Sequence, residues 1–468
     1  MTTEERNTMR EQLFNFAGLK HMEGQIHTPR KIAKQMIDSL PDSVWNADTT
    51  FLDPATKSGV FLLEIYKKLM NSSDLLEKFP DPDDREQHIL QNQLFGIATD
   101  ELGEMFIRRM MYLDSDINNI VYLGDYIKKS SESIGETLKK EFNGRMKFDV
   151  VIGNPPYQES TGEGKQAKPL YHLFVKKADE ISSRYSSMII PSRWLNGGIG
   201  LDEFRHEMLN CNNIKYMKDF SDANKVFGNV LISGGVLYYL RDKAYSGECE
   251  VEYVADNSSN KMLRYLNGFD TYVRDNRAVS IIEKVGKEKS IENKMSSLNP
   301  FGIEANMRGN ELPEEKDSCK LLSSGGVGYI ELNEVKKGKE YLKAYKTIVA
   351  KALSSAKGKV FGTIETLGKN EVCTFSYFIA GCFDNEIEAD NLKKYLKTKI
   401  VRFMVFQTAV SINISKKNFC FVPLQDFTSA SDIDWSQSVS DIDKQLYSKY
   451  SLSDDEIKYI ESTIKPME

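Results

Sequence analysis

The chain has 468 residues, of which 40% are hydrophobic and 28% are charged, and its formal net charge is −6. This composition is typical of a soluble globular protein with two or three domains. No apolar run reaches the roughly 18 residues that a membrane span needs, and the polar first residues are unlike a signal peptide. Six scattered cysteines without a Cys-x-x-Cys pair argue against a disulfide framework or a zinc site and favour a reducing cytoplasm.

Short apolar runs alternate with amphipathic patterns in the first half of the chain. The strands predicted from these runs are 50–52, 94–98, 120–123, 148–153 and 187–190. The helices predicted between them are 29–40, 59–70, 101–113 and 171–182. Thr28 is expected to cap the first helix and Pro29 to occupy its first position. The alternation predicts a Rossmann-like α/β fold, a mostly parallel sheet with helices on both faces, whose ligands bind beyond the carboxyl ends of the strands.

The character of the chain changes after residue 255. We predict three parts: a domain over 1–255, an α+β domain over 256–425 and a helical tail over 426–468. The elements predicted in the second half are helices at 390–407 and 453–464 and a strand at 419–424. Residues 331–420 carry 16 Lys and Arg against 9 Asp and Glu. This basic segment fits either a phosphate-binding face or a solvated, lysine-rich surface.

A run of polar, proline and aromatic residues follows the predicted strand 148–153. We call this segment, Asn154-Pro155-Pro156-Tyr157, the proline corner. Proline fixes φ and cannot donate to a β-ladder, so the strand must end there with its last acceptors in fixed directions. The side-chain oxygen of Asn154 and the carbonyl of Pro155 could hold the two N–H groups of an exocyclic base amine, which favours a lone pair directed at an electrophile. Tyr157 could stack on the base. The alternative is a plain strand end with a proline turn and a surface tyrosine.

The proline corner resembles the catalytic motif of DNA adenine-N6 methyltransferases. The order of the other motifs resembles the gamma class of that family, restriction–modification methylases in which a target-recognition domain follows the catalytic domain. The resemblance covers nearly the whole chain. It implies the class I S-adenosylmethionine-dependent fold for residues 1–255, S-adenosylmethionine as the cofactor, double-stranded DNA as the partner, and target recognition by residues 256–425.

Two segments resemble the first cofactor motifs of this family. His27-Thr28-Pro29 is expected to contact the methionine part of the cofactor, and the 53–59 segment is expected to form the loop after the first strand. The matching residues of the 53–59 segment are Asp53, Pro54, Ala55, Ser58 and Gly59. Lys57 stands where the common form has its first glycine, which leaves the local backbone conformation open. Without the resemblance, each segment could be an ordinary helix cap.

Acidic residues after the next two strands resemble the remaining cofactor contacts. Glu101 is favoured for the ribose hydroxyls, with Asp100 as the alternative, although either could be an ordinary acid in the first turn of a helix. Asp125, in a Gly-Asp turn, is expected to accept from the amino group of the cofactor's adenine. Asn154 is expected to contact the cofactor as well as the base.

Further aromatic and basic residues are candidates for the DNA substrate. Tyr157 and Phe220 are expected to pack against the target base, although Phe220 could be a core residue. Arg193 could contact a phosphate or pair with an acid. Lys416 and Lys417 are candidate phosphate contacts, with solvated lysines as the alternative. The C-terminal likeness to the family lies in residues 323–328, 411–417 and 421–424.

Together, the motifs predict a site-specific methyltransferase that moves a methyl group from S-adenosylmethionine to the N6 amine of an adenine flipped out of duplex DNA. It would be the modification component of a restriction–modification system, with any nuclease encoded separately, no metal and a cytoplasmic location in a prokaryote or phage. Cytosine-N4 methylation is the closest alternative, although Asn rather than Ser before the prolines favours adenine. A protein glutamine methyltransferase and a non-catalytic DNA-binding partner on the same scaffold are further alternatives.

Overall fold

A nine-stranded sheet runs through the first half of the chain as the structure describes it. Its strands are β1 (Phe51–Thr56), β2 (Leu94–Ala98), β3 (Ile120–Tyr122), β4 (Phe148–Gly153), β5 (Ser182–Pro191), β6 (Ile214–Phe220), β7 (Val236–Asp242), β8 (Cys249–Ala255) and β9 (Ser258–Arg264). They lie in the order β3-β2-β1-β4-β5-β7-β6-β8-β9. Only β7 and β9 run antiparallel to their neighbours in this sheet. The predicted α/β fold with a mostly parallel sheet is confirmed.

The computed structural model describes most of the chain. The described residues are 1–19, 27–113, 115–159, 168–198, 200–228, 230, 232–255, 258–286, 288–313, 318–354, 358–409 and 413–467. They form two compact units, Met1–Tyr272 and Val273–Glu468. Within these ranges, no helix has both the length and the apolar character that crossing a membrane requires.

Helices cover both faces of the sheet. They are α1 (Thr3–Leu19), α2 (Arg30–Asp38), α3 (Val60–Met70), α4 (Ser73–Lys78), α5 (Pro82–Asn92), α6 (Glu101–Tyr112), α7 (Ser131–Glu141), α8 (Tyr171–Ile181), α9 (Asp202–Asn210) and α10 (Asn224–Phe227). Val150 and Ile152 of β4 pack in one apolar cluster with α2, α3, α5 and α6, whereas Val151 between them packs in a second cluster with α7, α8 and α9. Because successive side chains of a strand point to opposite faces, a strand covered on both sides needs consecutive apolar residues such as Val150, Val151 and Ile152 of β4.

Asp149 ties together the amino ends of the three strands that carry most of the predicted site. Its carboxylate accepts hydrogen bonds from the Thr50 N–H at 3.0 Å and the Thr50 hydroxyl at 2.8 Å. It also accepts one from the Ser183 hydroxyl at 2.8 Å. These bonds fix β1, β4 and β5 relative to one another, and this sets the positions of the residues that follow their carboxyl ends.

Two boundaries in the first unit differ from the sequence prediction. Helix α2 begins at Arg30, and its N-cap residue is Pro29, so the prediction that Thr28 caps this helix is wrong. The predicted domain boundary at 255 falls inside the β8–β9 hairpin, and the unit ends at Tyr272 instead. Most side chains of β9 are exposed, so no apolar run marked it as part of the sheet.

The second unit has an α+β architecture, as predicted. Its strands are β10 (Ser318–Ser323), β11 (Gly326–Glu331), β12 (Tyr345–Ala350), β13 (Ile364–Leu367), β14 (Glu371–Cys373) and β15 (Tyr377–Phe383). Its helices are α11 (Asn276–Val285), α12 (Glu386–Lys397), α13 (Lys399–Thr408), α14 (Val439–Lys449) and α15 (Asp454–Thr463). The described strands form two sheets, ordered β11-β10-β14 and β13-β12-β15. Helix α15 confirms the helix predicted over residues 453–464, and the predicted tail over 426–468 lies within this unit.

Two predicted elements of the second unit are wrong. The single helix over residues 390–407 is two helices, because Thr398 has an extended backbone (φ −61°, ψ 151°) between α12 and α13. The strand over residues 419–424 is instead the end of a 3-10 turn, Lys416–Phe419, followed by a single bridge between Ser290 and Pro423. Its apolar side chains are buried in an irregular segment, which an apolar run alone does not distinguish from a strand.

Replacing Thr398 by alanine tests the break between α12 and α13. The Thr398 hydroxyl accepts from the Val401 N–H at 3.4 Å and donates to the Tyr395 carbonyl at 2.6 Å. We expect Thr398→Ala to lower the free energy of unfolding of the second unit by about 1–2 kcal/mol. Urea unfolding followed by the fluorescence of Trp435, with Trp45 and Trp194 replaced by phenylalanine, measures this loss. Thr398→Ser keeps the oxygen and should retain most of the stability; an equal loss in both variants would contradict the capping role.

Candidate active site

The carboxyl ends of β1 and β4 meet at a contact that only glycine permits. A Cβ placed on Gly153, the last residue of β4, would lie 2.7 Å from Asp53 Oδ1 and 3.2 Å from Pro54 Cδ. Asp53 and Asn154 are each only 3% exposed. The structure therefore brings the 53–59 segment and the proline corner to the same edge of the sheet.

The 53–59 segment turns from β1 into α3 through a second required glycine. Gly59 has a left-handed conformation (φ 72°, ψ 13°) as the N-cap residue of α3. A Cβ there would lie 2.5 Å from Met110 Cε, and the left-handed conformation disfavours any residue with a side chain. Ser58 is half-buried beside it. Lys57 is not among the residues with positive φ, so lysine in place of glycine is accommodated without backbone strain.

Asp53 and Lys57 place two desolvated charges in this segment. Burial raises the pKa of the Asp53 carboxyl from its ordinary value to about 7, although the Ala55 N–H donates to Oδ1 at 3.1 Å and lowers it. Burial also lowers the pKa of the Lys57 ammonium to about 8, and attraction to Asp53 opposes that shift. Each group is therefore held in surroundings that disfavour its charged form.

The acidic residues after β2 and β3 differ in what they already bind. Asp100 accepts from the Gly103 N–H at 2.7 Å and caps α6, whereas Glu101 is exposed at the first position of that helix. Asp125 is exposed and lies 3.6 Å from the Lys128 ammonium, which also lies 3.4 Å from Glu159 beyond the proline corner. The geometry leaves Glu101 and Asp125 accessible to a ligand.

The segment His27-Thr28-Pro29 leads into α2. Thr28 is buried, and the other two residues are half-buried. The next residue, Arg30, holds α2 in place through Glu64 of α3 at 2.5 Å and Glu11 of α1 at 2.7 Å. The position of this segment is thus fixed by ion pairs to two other helices.

Tyr157 of the proline corner lies between two other aromatic rings. Its ring centroid is 6.5 Å from that of Tyr171 and 6.4 Å from that of Phe227, both in edge-on geometry. Its hydroxyl is buried without a hydrogen-bond partner among the described residues, and burial raises its pKa well above the ordinary value. The Leu170 N–H donates to the Tyr157 carbonyl at 3.0 Å and fixes the backbone there. The phenol therefore remains neutral at physiological pH.

Phe220 and Phe227 occupy different environments. Phe220 ends β6 at 7% exposure and packs against Tyr238, with ring centroids 6.3 Å apart. Phe227, in the short helix α10, is half-buried and is the ring that meets Tyr157. Sequence reasoning selected Phe220 as the candidate, and Phe227, which contacts Tyr157, lies seven positions further along the same motif. The clue available in the sequence was Gly228 directly after Phe227, which ends the helix with a positive φ.

The predicted basic contacts are exposed. Arg193 lies in the 3-10 turn Ser192–Leu195 after β5. Lys416 and Lys417 open the 3-10 turn Lys416–Phe419 in the second unit. Residues 411–412 of the predicted segment 411–417 lie outside the described residues. Within the described ranges, no group of three or more His, Cys, Asp or Glu side chains is arranged to hold a metal ion.

Arg308 is a further exposed cation, which sequence reasoning did not identify. It lies against the β10–β11 hairpin: a Cβ on Gly325 would be 2.6 Å from Arg308 Nε, and one on Gly328 would be 2.1 Å from the Arg308 carbonyl. Its Nη1 donates to the carbonyls of Ala305 at 2.9 Å and Met307 at 3.0 Å. The glycine-rich segment 323–328 thus supports an arginine that is distant in sequence.

Comparisons with known proteins bear on the class of this protein. Residues 91–227, which include the proline corner, match the Eco57I restriction-modification methylase family. An adenine-specific methylase of Mycoplasma pneumoniae, itself uncharacterized, is 27% identical over 291 residues, covering 48% of this chain and 68% of the relative. The predicted class, a restriction–modification methylase, is confirmed by these matches.

Solved structures with a similar fold are more distant. A modification subunit of a type I restriction enzyme from Vibrio vulnificus is 16% identical, with a TM-score of 0.42, and the match covers 55% of this chain and 54% of that one. The type ISP restriction-modification enzyme LlaGI is 11% identical, with a TM-score of 0.47, and the match covers 86% of this chain and 53% of that one. This chain thus spans about half the length of these proteins, and the similarity is too low to transfer their properties to it.

The raised pKa of Asp53 predicts how stability depends on pH. The folded protein holds this proton more tightly than the unfolded chain, so the ionised carboxyl destabilises the fold increasingly as the pH rises from about 4 to about 7. Asp53→Asn cannot titrate. The free energy of unfolding of Asp53→Asn minus that of the unsubstituted protein should therefore increase over that pH range and stay constant above it. Urea unfolding of both proteins at each pH measures this difference.

Asp74 provides a control for which the pH dependence of stability should have the opposite sign. Its pKa is lowered because it accepts from the Ala47 N–H at 2.8 Å. Asp74→Asn should therefore lose stability relative to the unsubstituted protein as the pH rises through the acidic range. If the difference in free energy of unfolding between Asp53→Asn and the unsubstituted protein does not change with pH, or falls as the pH rises, burial does not raise the pKa of Asp53.

Proposed function

We propose that the protein is a site-specific DNA methyltransferase, which transfers a methyl group from S-adenosylmethionine to the N6 amine of an adenine flipped out of duplex DNA. It would serve as the modification component of a restriction–modification system. The observation that carries this proposal is the close approach of Gly153 and Asp53, where a Cβ on Gly153 would lie 2.7 Å from Asp53 Oδ1. It puts a loop suited to a nucleoside cofactor beside a corner suited to an exocyclic amine.

The residues around β1 fit S-adenosylmethionine. The left-handed turn at Gly59 brings the backbone of the 53–59 segment round to the start of α3, and Asp53 supplies a buried carboxyl group. The residues that would hold the cofactor are His27, Thr28, Pro29, Asp53, Pro54, Ala55, Ser58, Gly59, Glu101, Asp125 and Asn154. When bound, the cofactor supplies a methyl group on a sulfonium, which is already an activated electrophile.

The proline corner would hold and orient the base. Asn154 and the carbonyl of Pro155, kept in place by Pro156, would accept the two N–H groups of the amine, so alignment replaces a strong base. Tyr157 is buried and neutral, so it would act through its ring and not by removing a proton. Phe227 would pack on the base together with Tyr157, in the role first considered for Phe220.

Exposed cations would bind the DNA. Arg193, Lys416 and Lys417 are suited to phosphate contacts. Arg308 has one end of its guanidinium held by backbone carbonyls, and a rigid arginine of this kind is suited to reading a guanine edge. Target recognition would belong to the second unit, and the cognate nuclease would be a separate protein. Adenine is favoured over cytosine by Asn154 and by the adenine-specific name of the Mycoplasma pneumoniae relative.

Methyl transfer tests this function directly. The protein is incubated with labelled S-adenosylmethionine and duplex DNA, and the modified nucleoside and its sequence context are identified. We expect label in N6-methyladenine, and a loss of roughly 100- to 1,000-fold or more in Asn154→Ala, with most of the cofactor affinity retained through the 53–59 segment. The control Asn212→Ala, at an exposed position, should be fully active. Label in N4-methylcytosine would favour the cytosine alternative, and no label would favour a non-catalytic DNA-binding protein.

A pair of phenylalanine substitutions separates base stacking from core packing. Phe227→Ala should reduce 2-aminopurine flipping at the methylated position and slow methyl transfer, with little loss of stability. Phe220→Ala should lower the free energy of unfolding by about 3–5 kcal/mol, because it removes a buried ring. Normal base flipping and transfer in Phe227→Ala would contradict its assigned role.

A further inference from the structure

Strand β1 carries a bulge where it leads into the 53–59 segment. Asp53 and Thr56 pair with residues of β2 that are only two positions apart, so the register shifts across Pro54 and Ala55. Leu52 is the last residue of β1 that pairs with β4. An extra residue of this kind bends a strand, and such bulges are common beside functional sites. The bulge therefore sets the direction in which the 53–59 segment leaves the sheet.

The carbonyl of Pro54, at this bulge, accepts a hydrogen bond from a side chain that is distant in sequence. Its donor is the hydroxyl of Tyr126, at 2.5 Å. Pro54 is buried, and a buried carbonyl without a partner is costly. Tyr126 begins the 3-10 turn after β3, and β2 lies between β3 and β1 in the sheet. The hydroxyl thus joins the ends of two strands that are not neighbours.

Tyr126 is itself held firmly at both its ring and its backbone. It is 4% exposed, and its ring centroid lies 6.0 Å from that of Phe174 of α8 in edge-on geometry. Its N–H donates to the carbonyl of Gly124 at 2.8 Å. Asp125, between these two residues, is the expected contact for the adenine of the cofactor. One rigid side chain therefore spans the gap between the Asp125 turn and the bulge of β1.

Packing alone does not account for the hydroxyl of Tyr126. Phenylalanine would supply the same ring against Phe174, but it would leave the carbonyl of Pro54 without this donor. We propose that Tyr126 is a positioning residue, whose hydroxyl fixes the 53–59 segment relative to the Asp125 turn so that one ligand can contact both. This inference rests on the proposed function, because both segments hold residues assigned to the cofactor.

Hydrogen exchange in the ligand-free protein tests the link without any activity measurement. Tyr126→Phe removes one oxygen and keeps the ring. Amide exchange within residues 53–59, followed by mass spectrometry on the full chain, should become about 5- to 150-fold faster, which corresponds to leaving a buried carbonyl unpaired. Exchange within residues 148–153 of β4 should stay unchanged. A hydroxyl that served only global stability would instead speed exchange in both segments.

Tyr245→Phe is the matched control. It also removes a hydroxyl that donates to a backbone carbonyl, that of Glu248 at 2.6 Å. This tyrosine lies in the turn after β7, at the opposite end of the strands. Exchange within residues 53–59 should therefore be the same in Tyr245→Phe as in the unsubstituted protein.

Ligand affinity provides the second measurement. The dissociation constant of S-adenosylhomocysteine, measured by titration calorimetry, should rise about 10-fold in Tyr126→Phe, because the segment must then be ordered when the ligand binds. It should not change in Tyr245→Phe. Unchanged exchange within residues 53–59 in folded Tyr126→Phe, or faster exchange with unchanged affinity, would overturn the positioning role.

A second variant keeps the test decisive if Tyr126→Phe does not fold. Gly124 has a left-handed conformation (φ 57°), and a Cβ there would meet no atom within 4 Å. Gly124→Ala therefore strains the turn that carries Tyr126 without any new contact. It should also speed exchange within residues 53–59, and unchanged exchange there would overturn the link.

The proposed function fails in a different way. If the unsubstituted protein does not bind S-adenosylhomocysteine, the assigned cofactor is wrong and the positioning role is overturned with it. If S-adenosylhomocysteine binds and Tyr126→Phe changes neither exchange nor affinity, the cofactor assignment stands and only the role of Tyr126 is lost.

Discussion

The close approach of β1 and β4 at their carboxyl ends is the constraint on which the rest of the first unit depends. Gly153 permits it, because any side chain there would meet the Asp53 carboxylate. At the opposite end of the same strands, Asp149 binds Thr50 and Ser183 and sets their alignment. Strand β4 thus ends beside a buried acid and continues through Asn154 into two prolines. This arrangement brings two separate sequence motifs to one edge of the sheet.

Buried charges in the first unit are of two kinds. Arg10 and Glu86 form an ion pair in which nearly every polar atom has a partner: Arg10 donates to the Met111 carbonyl at 2.9 Å and to the Tyr66 hydroxyl at 3.0 Å, and that hydroxyl lies 3.1 Å from Glu86. Such a network stabilises the packing of α1. Asp53 and Lys57, in contrast, both have pKa values shifted against their charged forms. Shifts of this kind are concentrated where a protein binds or transforms a ligand.

The sequence predicted best those features that depend on local chemistry. Strands β2 and β4 match the predicted bounds of 94–98 and 148–153, since each is rich in apolar residues and is followed by polar ones. Strand β9 was not found because it is an edge strand with mostly exposed side chains. The break at Thr398 was also missed, because helical spacing continues across it and only the backbone changes. Boundaries that depend on tertiary pairing or on a single capped residue leave little trace in hydrophobic periodicity.

The residues of the proposed site also divide into those that the local sequence identifies and those that only the packing identifies. Asp53, Gly59 and Asn154 could be selected from their motifs because proline and glycine constrain the chain locally. The ring that contacts Tyr157 could not be selected in this way, because Phe220 and Phe227 belong to one motif. Only the packing of α10 shows which of the two contacts Tyr157. Arg308 was missed because it reaches the glycine-rich hairpin from a distant part of the sequence.

A crystal structure of the protein with S-adenosylhomocysteine tests most directly whether the ends of β1 and β4 form a single site. The account predicts the ligand along the carboxyl edge of the sheet, beside the 53–59 segment, with its sulfur facing Asn154. A ligand bound elsewhere, or bound with its sulfur turned away from the proline corner, would contradict it.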